Sequence, residues 1–138
     1  MNREATAIEA THAILFSSSD LENEVGDNIH YARGPVTSKW PQVVYFAVTS
    51  RDSYIVDYDK TTIQISSWDT DKWRALRIHD ILRILFREYR GVVNTYYGDV
   101  EINWTELVDS SALPQDDDQL FGQQLRVELR TRGENIGG

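Results

Sequence analysis

Cysteine is absent from this sequence of 138 residues, and proline occurs only three times. Without cysteine the chain has no disulfide framework and no thiolate metal site. This composition is compatible with assembly of the protein in the reducing cytosol. No stretch approaches the roughly 20 apolar residues that a membrane-spanning helix needs. The charged N-terminal stretch also lacks the apolar core of a signal peptide, so we expect no membrane partner.

An excess of positive charge is also lacking. The chain has 14 Lys and Arg against 22 Asp and Glu, which gives a formal net charge of −8. Strong binding to a nucleic-acid backbone needs clustered lysine and arginine residues, so the negative net charge argues against strong DNA binding. The hydrophobic content of 41% is typical of a folded protein. We expect one domain over residues 1–138, with a flexible tail from about residue 132.

The spacing of apolar residues, together with turn signals, predicts the helices and strands in the first half of the chain. Residues 3–16 favour a first, shorter helix, which Ser17–Asp20 ends. A brief strand is expected at Ile29–Ala32. Two longer strands, Gln42–Ser50 and Thr61–Trp68, are expected to form a hairpin.

The clearest element is a long helix over about residues 70–90. Asp69 or Thr70 is expected to cap its start, and Gly91 to terminate it. Apolar residues recur along it at three-to-four spacing and predict a stripe that packs on a sheet. The stripe consists of Ile78, Ile81, Leu82, Leu85 and Tyr89.

Three further strands are expected after this helix, at residues 92–97, 100–107 and 123–131, with a loop at Val108–Gln119. Their inward positions are Val100, Ile102, Trp104, Leu125, Val127 and Leu129. The predicted fold class is therefore α+β. It has a mostly antiparallel sheet, with one long helix (about 70–90) and a shorter N-terminal helix packed on it.

No set of residues has the spacing of a catalytic or metal site. His12, His30 and His79 lie far apart, and His79 lies beside the apolar stripe, where a half-buried histidine is commoner than a general base. The serines at 17–19 and 66–67 suit helix caps and strand ends better than a nucleophile. We therefore expect no enzymatic activity and no cofactor.

An acidic triplet, Asp116, Asp117 and Asp118, follows Pro114. Consecutive side chains of an extended segment point to opposite sides and do not converge on one ion. Calcium loops instead space their ligands at alternate positions and include a glycine. We therefore expect an acidic loop that binds no metal.

Basic residues gather on the side of the predicted long helix that faces away from the stripe. Residues 69–90 hold 6 Lys and Arg against 4 Asp and Glu, whereas the last 41 residues hold 3 against 9. These opposite charges can pair within one chain or between two copies. Excess tyrosine is typical of interface cores. The residues expected at a subunit interface are Arg83, Arg87, Tyr54 and Tyr58.

The order of these patterns resembles one family. "PQVVYFAV" is followed by "TTIQISSWDTDKWRALRIHDILRILF", and the final strand is "QQLRVELRT". Together with the N-terminal helix and the Gly-Pro loop, they resemble the tail completion or tail terminator (head–tail joining) proteins of long-tailed bacteriophages, over about residues 5–131. The similarity lies in hydrophobic and turn residues and brings no catalytic residues with it.

The resemblance implies a structural virion protein that forms a ring, commonly a hexamer. The ring would cap the tail tube and join the tail to the head, at the neck of a particle assembled in the host cytoplasm. Its partners would be further copies of itself, the tail tube protein and a head-side neck or stopper protein. DNA would pass through the ring without specific binding. In such a ring the acidic triplet would either repel phosphates at the channel or contact a docking partner on the rim.

Two alternatives remain at this stage. One is another ring-forming neck protein, such as a stopper or connector; a tube subunit is disfavoured because the segment between the first two strands is short. The other is a non-viral α+β domain that binds a small molecule. Such a domain needs convergent polar groups in a pocket, and the sequence shows no such constellation.

Overall fold

The computed structural model describes residues 3–52, 59–87, 89–95, 98–113 and 120–133. Within these ranges the elements are α1 (Arg3–Ser17), α2 (Ser19–Val25), β1 (Ile29–Tyr31), β2 (Gln42–Asp52), β3 (Asp59–Asp69), α3 (Lys72–Phe86), β4 (Gly91–Thr95), β5 (Gly98–Leu113) and β6 (Phe121–Gly133).

The strands form one mixed sheet in the order β1-β2-β3-β6-β5-β4. The short β1 runs parallel to β2, and the other described pairs are antiparallel. The α+β class with a mostly antiparallel sheet is therefore confirmed. The helices α1 and α3 are both 15 residues long, so the expected difference in length is absent.

Both long helices cover the same face of the sheet. In α3 the side chains of Ile78, Leu82 and Phe86 are fully buried, because their spacing places them on one side of the helix. The other members of the predicted stripe, Ile81, Leu85 and Tyr89, are partly buried against the same core. The sheet side of this core includes Ile63, Ile65, Leu125, Val127 and Leu129, and α1 adds Ala7, Ala10, Ile14 and Leu15. The predicted packing of the stripe is confirmed.

Helix α3 is shorter at both ends than predicted. Its N-cap is Asp71, whose Oδ1 accepts a hydrogen bond from the backbone N–H of Trp73 at 2.9 Å. Its C-cap is Arg87, which has an extended backbone. Gly91, the predicted terminator, instead begins β4 with a φ of 147°. The chain leaves the helix early, and Tyr89 packs against the core while its carbonyl accepts a hydrogen bond from Thr105.

Strand β5 is longer than predicted, so the expected loop at 108–119 is wrong for its first part. Residues 109–113 pair with β6, for example Ser110 with Leu125, and this ladder keeps a polar segment extended. The pairing register shifts between Ile102 and Trp104, and Thr105 is buried beyond the shift. The side chain of Trp104, expected inward, lies outside the described part of the chain.

Candidate subunit interface

The arginines of α3 divide into two groups. At the N-terminal half, Arg74 Nε lies 3.3 Å from Glu24 Oε2, and Arg74 Nη2 donates to the Glu24 carbonyl at 2.9 Å. Arg77 Nη1 lies 3.6 Å from the other carboxylate oxygen of Glu24. Since the Glu24 side chain is only 18% exposed, these contacts fasten α2 to α3 within the chain.

Arg83 in the C-terminal half of α3 and Arg87, its C-cap, are exposed. Ile84 lies between them in sequence, with 77% of its surface exposed. Arg83 Nη1 is 3.9 Å from Asp80 Oδ1, an exposed pair of a kind that contributes little to stability. These four residues and Leu107 line a pocket of about 260 Å³, and we call this set the basic patch.

Sequence reasoning found the two arginines of the basic patch and missed its apolar centre. Ile84 is off the buried stripe of α3 and is flanked on both sides by arginines at short distance in sequence. An apolar residue at a helix position that faces away from the core is a signal that could have identified it.

A second surface lies beside β1. Leu15, Phe16, Glu22, Gly26, Asp27 and Ile29 line a pocket of about 360 Å³, and we call this set the acidic patch. Its walls are apolar where α1 and β1 contribute them. Glu22 and Asp27 are exposed at its mouth, and Phe16 is 42% exposed.

Aromatic rings support this second surface. The ring centroids of His12 and Phe16 are 4.4 Å apart, and His12 Nδ1 lies 3.0 Å from the hydroxyl oxygen of Tyr45. Burial, with Glu9 and Tyr31 as smaller contributors, raises the pKa of Tyr45 to about 12. The hydroxyl therefore stays protonated at neutral pH. Tyr31 stacks edge-on against Tyr45 and remains 53% exposed.

The sheet face opposite the helices carries polar side chains together with apolar ones such as Val44 of β2 and Trp68 of β3. Arg126 Nε donates to Gln64 Oε1 at 3.2 Å, and Arg130 Nε lies 3.4 Å from Glu128 Oε1. Arg126 and Arg130 of β6 are thus engaged by groups of their own sheet.

The remaining predicted site residues cannot be placed. Tyr54, Tyr58 and the triplet Asp116, Asp117 and Asp118 lie outside the described residues. Over the described ranges, no three His, Asp or Glu side chains are grouped so that they could hold a metal ion. No helix in this part of the chain is long and apolar enough to cross a membrane.

Comparisons with known proteins show that this chain shares its fold with a solved structure. No protein-family model and no curated protein matches the sequence. A solved chain from the virion of a native gene transfer agent (GTA) particle has a similar structure, with a TM-score of 0.72 and 13% sequence identity. The match covers 96% of this chain and 100% of the other. At that identity the similarity shows a shared fold over nearly the full length of both chains.

Proposed function

We propose that this chain is a structural subunit of a phage-like virion, and that it forms the ring that caps the tail tube and joins the tail to the head. The observation that carries the proposal is the shared fold with a chain of a gene transfer agent virion, which extends over 96% of this chain. The resemblance of the strand and helix patterns to tail terminator proteins points to the same assembly.

The chemistry of the described side chains supports a structural role. The buried His79 contacts Ser110, but its other ring nitrogen has no hydrogen-bond partner among the described residues, so the pair lacks the orienting acid of a catalytic triad. Two of the exposed apolar residues, Phe16 and Ile84, lie beside exposed charged residues in the acidic patch and the basic patch, as apolar residues do on surfaces that bind other proteins. We therefore propose that the chain acts by assembly and not by catalysis.

A ring at this position must let DNA pass without holding it. The net charge of −8 disfavours adhesion to phosphates. Arg126 and Arg130 of β6 are engaged by Gln64 and Glu128. We propose that the acidic triplet adds to this, either at the channel or at the docking surface for the neck.

The proposed partners are copies of the same chain, in a ring of about six subunits, the tail tube protein and a head-side neck or stopper protein. Arg83, Arg87, Tyr54 and Tyr58 are the proposed contacts between subunits. The proposed location is the neck of the particle. A stopper or connector ring at the same junction is the second candidate, because it shares the need for an assembling surface and a non-adhesive channel.

Deletion of the gene in a phage that encodes this chain tests the proposal. We expect heads full of DNA and separate tails, with tails of irregular length, in electron micrographs of the lysate. Supplying the wild-type gene from a plasmid should restore joined particles. Normal infectious particles without the protein would contradict the proposed function.

A further inference from the structure

The two surface patches lie at opposite edges of the sheet. Ile29 of β1 lines the acidic patch, and Leu107 of β5 lines the basic patch. In the strand order, β1 and β5 are separated by β2, β3 and β6. With strands about 4.8 Å apart, four spacings amount to about 19 Å along the sheet. Side chains of one copy do not span that distance.

The patches are complementary in charge. The segment Ser19–Asn28 holds four acidic residues and no lysine or arginine. Of these four, Glu24 is engaged by Arg74 and Arg77, while Glu22 and Asp27 are exposed at the pocket mouth. Among the described residues that line the basic patch, Arg83 and Arg87 accompany a single acid, Asp80.

Both patches also carry apolar surface. Ile84 of the basic patch has 77% of its surface exposed. The acidic patch has a pocket of about 360 Å³ with apolar walls from Leu15, Phe16 and Ile29. An apolar side chain in a central pocket, with arginines and other polar groups around it, fits the usual layout of an apolar interface core and a polar rim.

We infer that Ile84 of one copy of this chain enters the pocket of the acidic patch of the next copy, where Arg83 and Arg87 pair with Glu22 and Asp27. The contact is head-to-tail, because it joins two different surfaces, and a head-to-tail contact closes into a ring when the rotation between neighbours permits. This inference rests on the proposed ring and names the surfaces that form it. It assigns the acidic partner of the two arginines to α2 and its following turn, and not to the C-terminal part of the chain.

Disulfide trapping tests the contact in the full-length chain. Because the sequence has no cysteine, each disulfide reports on introduced residues alone. Ile84→Cys is mixed with Phe16→Cys under mild oxidation, and the rate of dimer formation is measured on non-reducing gels. The matched control is Ile84→Cys mixed with Val92→Cys, since Val92 is exposed on β4 and belongs to neither patch. We expect the first mixture to react at least about tenfold faster. Equal rates, or no dimer in either mixture, would overturn the inference.

Charge exchange supplies a second test, read out as the self-association constant from sedimentation. Arg83→Glu with Arg87→Glu should weaken association at least about tenfold, and Glu22→Arg with Asp27→Arg should do the same. An equimolar mixture of these two double variants should recover association, because each provides the patch that the other lacks. The matched control is Lys39→Glu with Lys72→Glu, which changes the net charge equally outside both patches and should leave association unchanged.

Each outcome of the charge-exchange experiment either supports or overturns the inferred contact between subunits. Recovery in the mixture supports the inference. No recovery there, or recovery of the arginine variant only when Asp116, Asp117 and Asp118 are replaced by lysine, would overturn it. These outcomes are separate from the gene deletion, in which unjoined heads and tails would leave the proposed function standing even if this contact failed.

Discussion

The Nε2 atom of His79 lies 2.6 Å from Oγ of Ser110, and this contact ties the middle of α3 to β5 beneath the basic patch. The residue is only 5% exposed, and its Nδ1 has no hydrogen-bond partner among the described residues. Burial lowers the pKa of His79 below its ordinary value of 6.5; Arg83 acts in the same direction, and Asp80 opposes them.

The depressed pKa of His79 predicts a loss of stability in acid. Near pH 6.5 the unfolded chain binds more protons at this residue than the folded chain does. The free energy of unfolding should therefore fall as the pH is lowered through 6.5 towards the lower pKa of the folded state. His79→Gln should lose this part of the pH dependence, whereas His12→Gln, on an exposed helix position, should keep it. Urea unfolding at several pH values measures the effect, and an unchanged slope in His79→Gln would contradict it.

Alanine substitutions at Leu82 and Ile84, two residues apart in α3, should have very different effects on stability. Leu82 is fully buried against the sheet, so Leu82→Ala should cost about 2–5 kcal/mol of unfolding free energy. Ile84 is exposed on the same helix, so Ile84→Ala should change stability by less than about 0.5 kcal/mol. Chemical denaturation of both variants measures the difference. Similar losses in the two would mean that α3 does not lie on the sheet as described.

The ring of Trp68 lies against Gly122, its partner residue on β6, on the sheet face opposite the helices. A Cβ added at Gly122 would lie 2.5 Å from a ring carbon of Trp68, so Gly122→Ala should cost about 1–3 kcal/mol. At Gly34 an added Cβ meets nothing within 4 Å, and Gly34→Ala provides the control. Trp68→Leu should reduce the effect of Gly122→Ala, because it removes the clashing ring. Equal stability of Gly122→Ala and the wild type would contradict this close approach.

The periodic parts of this fold could be predicted from sequence. The stripe of α3 and the alternation of Leu125, Val127 and Leu129 identified the core, because one face of each element must be apolar to pack. The ends of the strands were harder to predict from sequence. Residues 108–113 have the composition of a loop, yet pairing with β6 makes them part of β5, and such pairing leaves no local signal.

Buried amides are a second feature that sequence could not reveal. Gln42 is fully buried, and its Oε1 accepts from the Val36 N–H at 2.9 Å while its Nε2 donates to the Thr37 carbonyl at 2.9 Å. Asn28 Nδ2 donates to the Pro41 carbonyl at 2.8 Å. These bonds order the loop before β2, and they depend on the folded path of the chain between residues 28 and 42, which has no periodic pattern. The acidic patch was missed because α1, α2 and β1 come together only in the folded chain.

We expect replacement of the acidic triplet to affect particle assembly and not metal binding. Replacing Asp116, Asp117 and Asp118 by Asn removes three negative charges at nearly constant size. Calorimetry should detect no specific calcium or magnesium binding by the parent chain, because consecutive aspartates do not converge on an ion. Any defect of the variant should appear in head–tail joining or DNA release. Specific metal binding that the triple variant loses would restore a metal site.

The position and copy number of this chain in intact particles test the proposed function most directly. A phage that encodes the chain with a small C-terminal tag can be labelled with tag-specific gold and imaged, and quantitative mass spectrometry of the purified particles gives the copies per particle. We expect a single cluster of label at the junction of head and tail, with about six copies per particle. Label distributed along the tail with many copies, or no label on joined particles, would contradict the proposal that this chain is the ring that joins tail to head.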